Sequence, residues 1–199
     1  MKIFLIIILI LVIGFTVFQA YLSMSTTKSE VQAFQVIRSE KDFEIRMYPS
    51  VTMAMITSSA KSYKELGRSG FKKLAGFIFG GNDANKQIAM TSPVHMDIDA
   101  TGSTMGFVMP SVYNEDNLPK PNDAEVVIKT MPIEYVAAIQ FSGFASDSDI
   151  KRNKEKLENA LKAASITYYG NFRYLGYNPP YQLFGRKNEI IVGVNLDAK

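Results

Sequence analysis

Residues 71–96 read FKKLAGFIFGGNDANKQIAMTSPVHM, and the order of signals within them decides the fold. An apolar helical stretch runs into Gly80 and Gly81, and glycine supplies the positive φ that a helix C-cap needs. Asn82, Asp83 and Asn85 are turn formers. The chain then restarts as a buried strand at Ile88-Ala89-Met90, and Ser92-Pro93 breaks it. The stretch is helix, stop, polar loop and strand.

Upstream, residues 62–79 carry apolar or small side chains at Tyr63, Leu66, Gly70, Leu74, Phe77 and Ile78, the three-and-four spacing of one buried helical stripe. Gly67 and Gly70 each cost that helix about 1 kcal/mol against alanine, so something packs close to its backbone, a strand or a ligand. Residues 43–57, FEIRMYPSVTMAMIT, alternate as two strand pieces on either side of Tyr48-Pro49. Downstream, residues 105–112 read as an apolar strand, and residues 117–122 as a Pro-rich connection. Residues 126–141 then repeat the plan of strand, Met-Pro and strand. Ser146 or Ser148 caps a helix reaching Ala164, and residues 171–184 form an aromatic strand and loop. Residues 189–196 close the domain as a final strand.

Placing Pro132 on Pro49 sets an offset of 83 residues. Ile45 then meets Ile128, Ala54 meets Ala137, Leu74 meets Leu157, and Phe107-Val108-Met109 meets Ile190-Ile191-Val192. Each half is strand, strand, helix, strand, strand, which points to an internal duplication within one fold. The expected architecture is α+β: a distorted antiparallel β-barrel or sandwich of two pseudo-symmetric halves with two helices. A groove between helix and sheet is the default place for a ligand.

Residues 3–18, IFLIIILILVIGFTVF, are almost wholly apolar, and Ala20, Tyr21 and Leu22 extend them to the length that crosses a bilayer. The residues that follow offer no clean small-x-small exit, which favours an uncleaved signal-anchor over residues 1–22, with a cleaved secretion signal as the alternative. Lys2 on the cytoplasmic side would put the domain on the extracytoplasmic side, periplasmic or extracellular. Residues 23–30, SMSTTKSE, read as a polar tether, and residues 31–199 as the domain. A net charge of +3 with 21% charged residues is too mild for a nucleic-acid partner. With no cysteine, thiolate metal sites and a cysteine nucleophile are excluded.

His95 is the one histidine, at a strand edge; the plain expectation is an exposed side chain, and any chemistry that needs an imidazole would have to use it. The many methionines suit adaptable core packing, or a wall against a large flat ligand, with Met47 and Met90 the two of most interest. Arg68 and Lys72 stand four apart on one helix face beside Lys73 and would suit carboxylates of an amphipathic ligand, or simply face solvent. Tyr168, Tyr169, Tyr174, Tyr177 and Tyr181, with Pro179-Pro180, could stack on a planar ring or seal one end of the domain. No nucleophile elbow, phosphate loop or telling carboxylate pair is present.

The motifs FEIRMYP (43–49), GFKKLAGFIFGGN (70–82), KQIAMTSPV (86–94), GFVMPS (106–111), LPKPND (118–123), GFAS (143–146) and YLGYNPPYQLFGRKNEIIVGV (174–194) occur in that order. Together they resemble the SOUL/heme-binding-protein family over residues 43–194. The resemblance implies a distorted barrel of two repeated halves that binds haem or a related tetrapyrrole, without covalent attachment, in a shallow apolar groove beside the first domain helix. At the position where some members carry a proposed axial histidine this chain has Met47. A basic residue suggested to meet a propionate is retained as Arg68, whereas two further basic positions fall on Gly76 and Gln182.

The resulting expectation is a membrane-anchored, non-enzymatic tetrapyrrole binder. Its site would comprise Met47, Arg68, Phe71, Lys72 and Ala75 under a loop carrying Tyr177, Tyr181 and Gln182, with His95 or Met47 as weak axial ligands. The alternative is a GyrI-like binder or hydrolase of amphipathic small molecules, using a groove glutamate such as Glu134 or Glu189.

Overall fold

A computed structural model describes residues 2–98 and 102–195. The elements run α1 (Lys2–Lys28), β1 (Gln35–Ser39), β2 (Glu44–Tyr48), β3 (Val51–Ser58), α2 (Tyr63–Ile78), β4 (Val94–Asp97) and β5 (Ser103–Val108). They continue with β6 (Val127–Met131), β7 (Glu134–Ser142), α3 (Asp147–Ala163), β8 (Tyr168–Gly176) and β9 (Lys187–Val194). Leu196, the expected end of the last strand, lies outside the described residues, as do Met1 and residues 99–101 and 197–199.

The strands form one nine-stranded sheet in the order β1-β2-β7-β9-β8-β4-β5-β3-β6, antiparallel at every pairing. The sheet is a curled half-barrel with β1 and β6 as its edges, the barrel-like antiparallel sheet expected, left open between those edges. Helices cover one face only, and alternation along each strand assigns side chains to that face or to the other. On β2, Phe43 (just before the strand) and Ile45 pack under α3, whereas Arg46 and Tyr48 turn the opposite way. On β9 the same division separates Ile190 and Val192 from Glu189 and Ile191.

Ser62 begins α2: its extended backbone places the side chain to accept from the Glu65 N–H. Leu66, Leu74, Phe77 and Ile78 then sink into a core with Ala54, Ile56, Met105 and Phe107 from β3 and β5. Gly70 answers the question its position raised, because a Cβ there would sit 2.8 Å from Ile56 Cδ1 and 3.1 Å from Met105 Sδ. A strand, not a ligand, approaches the helix at that residue. Ser146 and Asp149 form a reciprocal capping box at the start of α3, whose Ile150, Leu157 and Leu161 pack on Ile45, Ala137, Ile190 and Val192.

Three expectations change. Ile88-Ala89-Met90 is not a strand: the Ile88 N–H donates to Ile78 O, the Ile88 side chain plugs the α2 core, and the strand begins only at Val94. β1 was not foreseen, because all five of its residues are exposed and leave no hydrophobic alternation to read. The polar stretch that follows the apolar segment is helical through Lys28, and Glu30 to Gln32 are stitched to the domain rather than hanging free. Gln32 N–H donates to Ser92 O at 2.8 Å, Ser92 N–H to Glu30 O at 2.9 Å, and Ser111 N–H to Glu30 Oε1 at 2.8 Å.

Candidate functional site

The outward side of α2 is what its apolar stripe leaves over. Arg68 and Lys72 are exposed one turn apart, Lys73 pairs with Glu125, and Ala75 is nearly buried. Phe71 is half-buried, edge-on to Phe107 with ring centroids 5.3 Å apart. Beside the first turns lies an open depression of about 420 Å³ lined by Ser62, Lys64, Glu65, Arg68 and Ser69. Of the expected haem-site residues, this depression contains Arg68 alone, and its lining is polar. Phe71 and Ala75 are drawn into the core because they flank the same stripe as Leu74.

Met47 is half-buried on the helix-bearing side of β2, between Gln35 and Tyr135 in register. Tyr177 belongs to the opposite face, packed with Tyr48, Val136, Ala138, Leu175 and Ile191. Tyr181 is exposed in the β8–β9 loop, and Gln182 is buried there, donating through Nε2 to Phe184 O at 2.9 Å. The fold therefore keeps the α2 residues together and puts Tyr177 across the sheet from them.

His95 is buried, not exposed as the plain expectation had it. It pairs with Leu175 and Gly106 across the sheet on the face away from α2, with Nε2 2.7 Å from Gln32 Oε1. Burial, reinforced by the Arg173 charge, lowers its pKa to about 3, so the imidazole is neutral near pH 7.

That second face carries a charge cluster. Arg46 Nε donates to Glu44 Oε2 at 2.7 Å, and Arg46 Nη1 to Glu189 Oε2 at 3.0 Å, while the Tyr177 hydroxyl donates to the same Glu189 oxygen at 2.7 Å. Lys187 Nζ lies 3.0 Å from Glu189 Oε1 without hydrogen-bond geometry and 4.2 Å from the Tyr177 ring centre. Phe34 lies over the Arg46 guanidinium at 4.2 Å. Burial works against the Arg46 charge, but Glu189 and Glu44 outweigh it and strengthen its hold on the proton. Burial first, then Glu189, pushes the Tyr177 phenol far up, so it stays a donor. Glu134 is likewise matched, accepting from Arg173 Nη2 at 2.6 and 2.7 Å.

The alternation of FEIRMY puts Arg46 out of phase with Ile45, and a charge in a buried row signals a partner. Glu44, two residues away, is one partner; the buried one, Glu189, lies 143 residues away, beyond any spacing rule. A second cleft, of about 380 Å³, lies between the residue 30–33 segment and the residue 108–114 turn, lined in part by Val31, Thr52, Met109 and Tyr113. Nothing in the sequence signalled it: of the segment that walls it, Glu30 was read as the end of the tether and residues 31–33 as the start of the domain.

Among the described residues no group of three His, Asp or Glu could hold a metal ion. The α2 surface fits a planar, carboxylate-bearing ring in one respect: two cations four residues apart stand beside an aromatic edge. It offers no imidazole, since His95 faces the other way with Nε2 engaged.

The model of a family described as SOUL heme-binding protein matches residues 29–193. Heme-binding protein 1 of Xenopus laevis is 28% identical over 166 residues, 78% of this chain and 86% of that protein. Heme-binding protein 2 of Mus musculus is 27% identical over 156 residues, 74% and 76% of the two chains. Among solved structures, the EcmrR C-terminal domain aligns with a TM-score of 0.60 at 8% identity, over 82% of this chain and 99% of that one. A hydrolase from Listeria innocua aligns at 0.53 and 8% identity, over 80% and 94%. At such identities these two structures show the shared fold alone.

Proposed function

The chain belongs to the SOUL heme-binding protein family, and from that premise we propose that it is a membrane-anchored, non-enzymatic binder of haem or a related tetrapyrrole. The observation that carries the reading is the family match over residues 29–193, nearly the whole of the domain, in a family generally of binders. In the proposed site Arg68 and Lys72 meet the propionates, and Phe71 and Ala75 supply apolar contact along the α2 edge. Met47 stands on the same helix-bearing side, where its thioether is the available soft ligand. Tyr177 is left out because its hydroxyl and ring are committed to Glu189 and Lys187. Tyr181 and Gln182 belong to a loop with another role, argued below.

The anchor reading is supported by α1, whose Lys2–Met24 portion is apolar, long enough to span a bilayer and exposed almost throughout. It remains our reading that α1 is uncleaved and that the domain, from about residue 31, stands on the extracytoplasmic side. The duplication reading is supported by strand order: β2-β7-β9 from one side corresponds, at the 83-residue offset, to β6-β3-β5 from the other, and β8 and β4 follow them in order though not at that offset.

The alternative, an amphipathic-cation binder or hydrolase using Glu134 or Glu189, gains nothing from the geometry. Each carboxylate already holds a guanidinium, so neither is left to attract a cation or act as a base.

The test is a titration of the full-length protein in detergent with haemin, followed by the Soret band and repeated with iron-free protoporphyrin. Saturable 1:1 binding of haemin is expected. Equal affinity for the iron-free ring means the groove reads the ring and its carboxylates rather than the metal. No saturable binding to either sinks the proposal.

A further inference from the structure

We propose that the β8–β9 loop, residues 177–186, is a membrane-contacting surface, clamped to α1 by Gln19 and dipping its apolar side chains into the interfacial layer of the bilayer. The inference rests on the anchor reading of α1 and adds what the domain does with that anchor.

Gln19 is a polar residue inside a largely apolar span, and an unsatisfied amide there is costly. It is buried and uses both ends of its amide on the loop backbone: Nε2 donates to Tyr181 O at 3.2 Å, and Oε1 accepts from Leu183 N–H at 3.0 Å. Leu22, one turn on, is buried as well, whereas most of the preceding helix is exposed. Gln19 and Leu22 of α1 are therefore packed as part of the domain, which a disposable signal segment would not require.

The depth follows from helix geometry. At 1.5 Å per residue the 23-residue span is about 35 Å long, somewhat more than a hydrocarbon core of about 30 Å. Gln19 lies five residues before Met24, about 7.5 Å short of the span's end, which is the depth of the headgroup boundary. The loop it holds presents Tyr181, Leu183 and Phe184 at 58, 40 and 70% exposure, with Phe144 beside them at 56%. Tyrosine and phenylalanine at that level match the aromatic belts of membrane proteins.

The loop is also prebuilt. Arg186 Nη1 donates to Pro179 O and Gln182 O at 2.6 and 2.7 Å, and its guanidinium stacks 4.5 Å from the Phe144 ring centre. Side chains this apolar, exposed and rigidly held beside a candidate membrane span point to lipid rather than to a water-borne partner.

The chain contains no tryptophan, so one introduced indole reports cleanly. Full-length protein is reconstituted into phosphatidylcholine vesicles with and without brominated acyl chains, and co-flotation is checked first. The variants are Phe184→Trp, Tyr181→Trp as a second reporter, and Thr167→Trp as an exposed control just ahead of the far end of β8. Expected are blue-shifted emission and at least twofold quenching by bromolipid for the two loop indoles, and neither for position 167. Adding Gln19→Leu to Phe184→Trp should leave flotation intact and reduce the quenching by half or more.

Loop indoles unquenched in protein that floats overturn the loop contact while leaving the anchor standing. Equal quenching at position 167 also overturns it, because the domain then adheres without preference. Protein that fails to float overturns anchor and loop together. Quenching unchanged by Gln19→Leu removes the clamp from the account.

Discussion

The two faces of this one sheet are made of the same strands and are held by different physics. Under α2 and α3, Ile45, Ala54, Ala137, Ile190 and Val192 are buried against helix stripes, and the stabilisation scales with apolar area removed from water. One residue further along β2 and β9, Arg46 and Glu189 are buried as a charge pair with Tyr177, under Phe34. There the net effect depends on geometry, because desolvating two ions costs nearly what their attraction returns. The helix side keeps exposed cations at Arg68 and Lys72, while the other face has matched its buried charges to one another.

The sharpest way to break that contrast is to remove one partner. Arg46→Ala or Glu189→Ala leaves the surviving buried charge with only its more exposed neighbour, Lys187 or Glu44, and the expected loss in denaturant unfolding of the detergent-solubilised protein is up to about 3–5 kcal/mol. The double variant Arg46→Met/Glu189→Leu should recover most of it. Single variants costing less than about 1 kcal/mol would mean that water reaches the cluster and that the face is open.

Histidine 95 tests the same face by pH. Its folded pKa, about 3, lies below the unfolded value near 6.5, so the unfolded chain takes up the proton first. Stability is full above pH 6.5 and falls toward pH 3 at about 1.4 kcal/mol per pH unit from this group. Thermal melts at pH 7 and pH 5 should show His95→Gln losing less than the parent over that interval. Equal losses would mean that the imidazole protonates in place.

The helix side is tested by two glycines of α2. Gly70→Ala drives a methyl into Ile56 and Met105, and an overpacking cost of about 1–3 kcal/mol outweighs the helix-propensity gain of about 1 kcal/mol. At Gly76 nothing lies within 4 Å of a built Cβ, so Gly76→Ala should stabilise by about 1 kcal/mol. Opposite signs at two positions six residues apart would locate the packed side of α2, and equal signs would contradict it.

How legible was this in the sequence? The α2 start near Ser62, the Tyr48-Pro49 break and the α3 cap at Ser146 or Ser148 were readable because caps and prolines act within three or four residues of themselves. The sheet's division into faces was readable from alternation at Ile45/Arg46. What failed was anything carried by distant partners: the burial of His95 depends on Gln32, and the Glu189 pairing on Arg46. Ile88 misled because a single apolar residue plugging a core has the composition of a strand without its pairing. Charge spacing gave Arg68 and Lys72, but loop residues were assigned to the same groove although strand parity puts Tyr177 behind the sheet.

The smallest expected effect bears most directly on the ligand. An exposed arginine meeting a carboxylate contributes under about 1 kcal/mol, so Arg68→Ala should raise the haemin dissociation constant only threefold to fivefold. The effect should fade at 1 M salt, where the Debye length is about 3 Å. Positions 68, 72 and 76 recur every four residues, on one side of the helix. Gly76→Lys would extend that row into open space and should tighten haemin by a similar factor, with the same salt sensitivity. Arg46→Met/Glu189→Leu, which alters the other face, should leave haemin affinity within twofold. The reverse pattern, affinity indifferent to positions 68 and 76 but lost in the double variant, would move the ligand across the sheet and make the buried cluster its receptor.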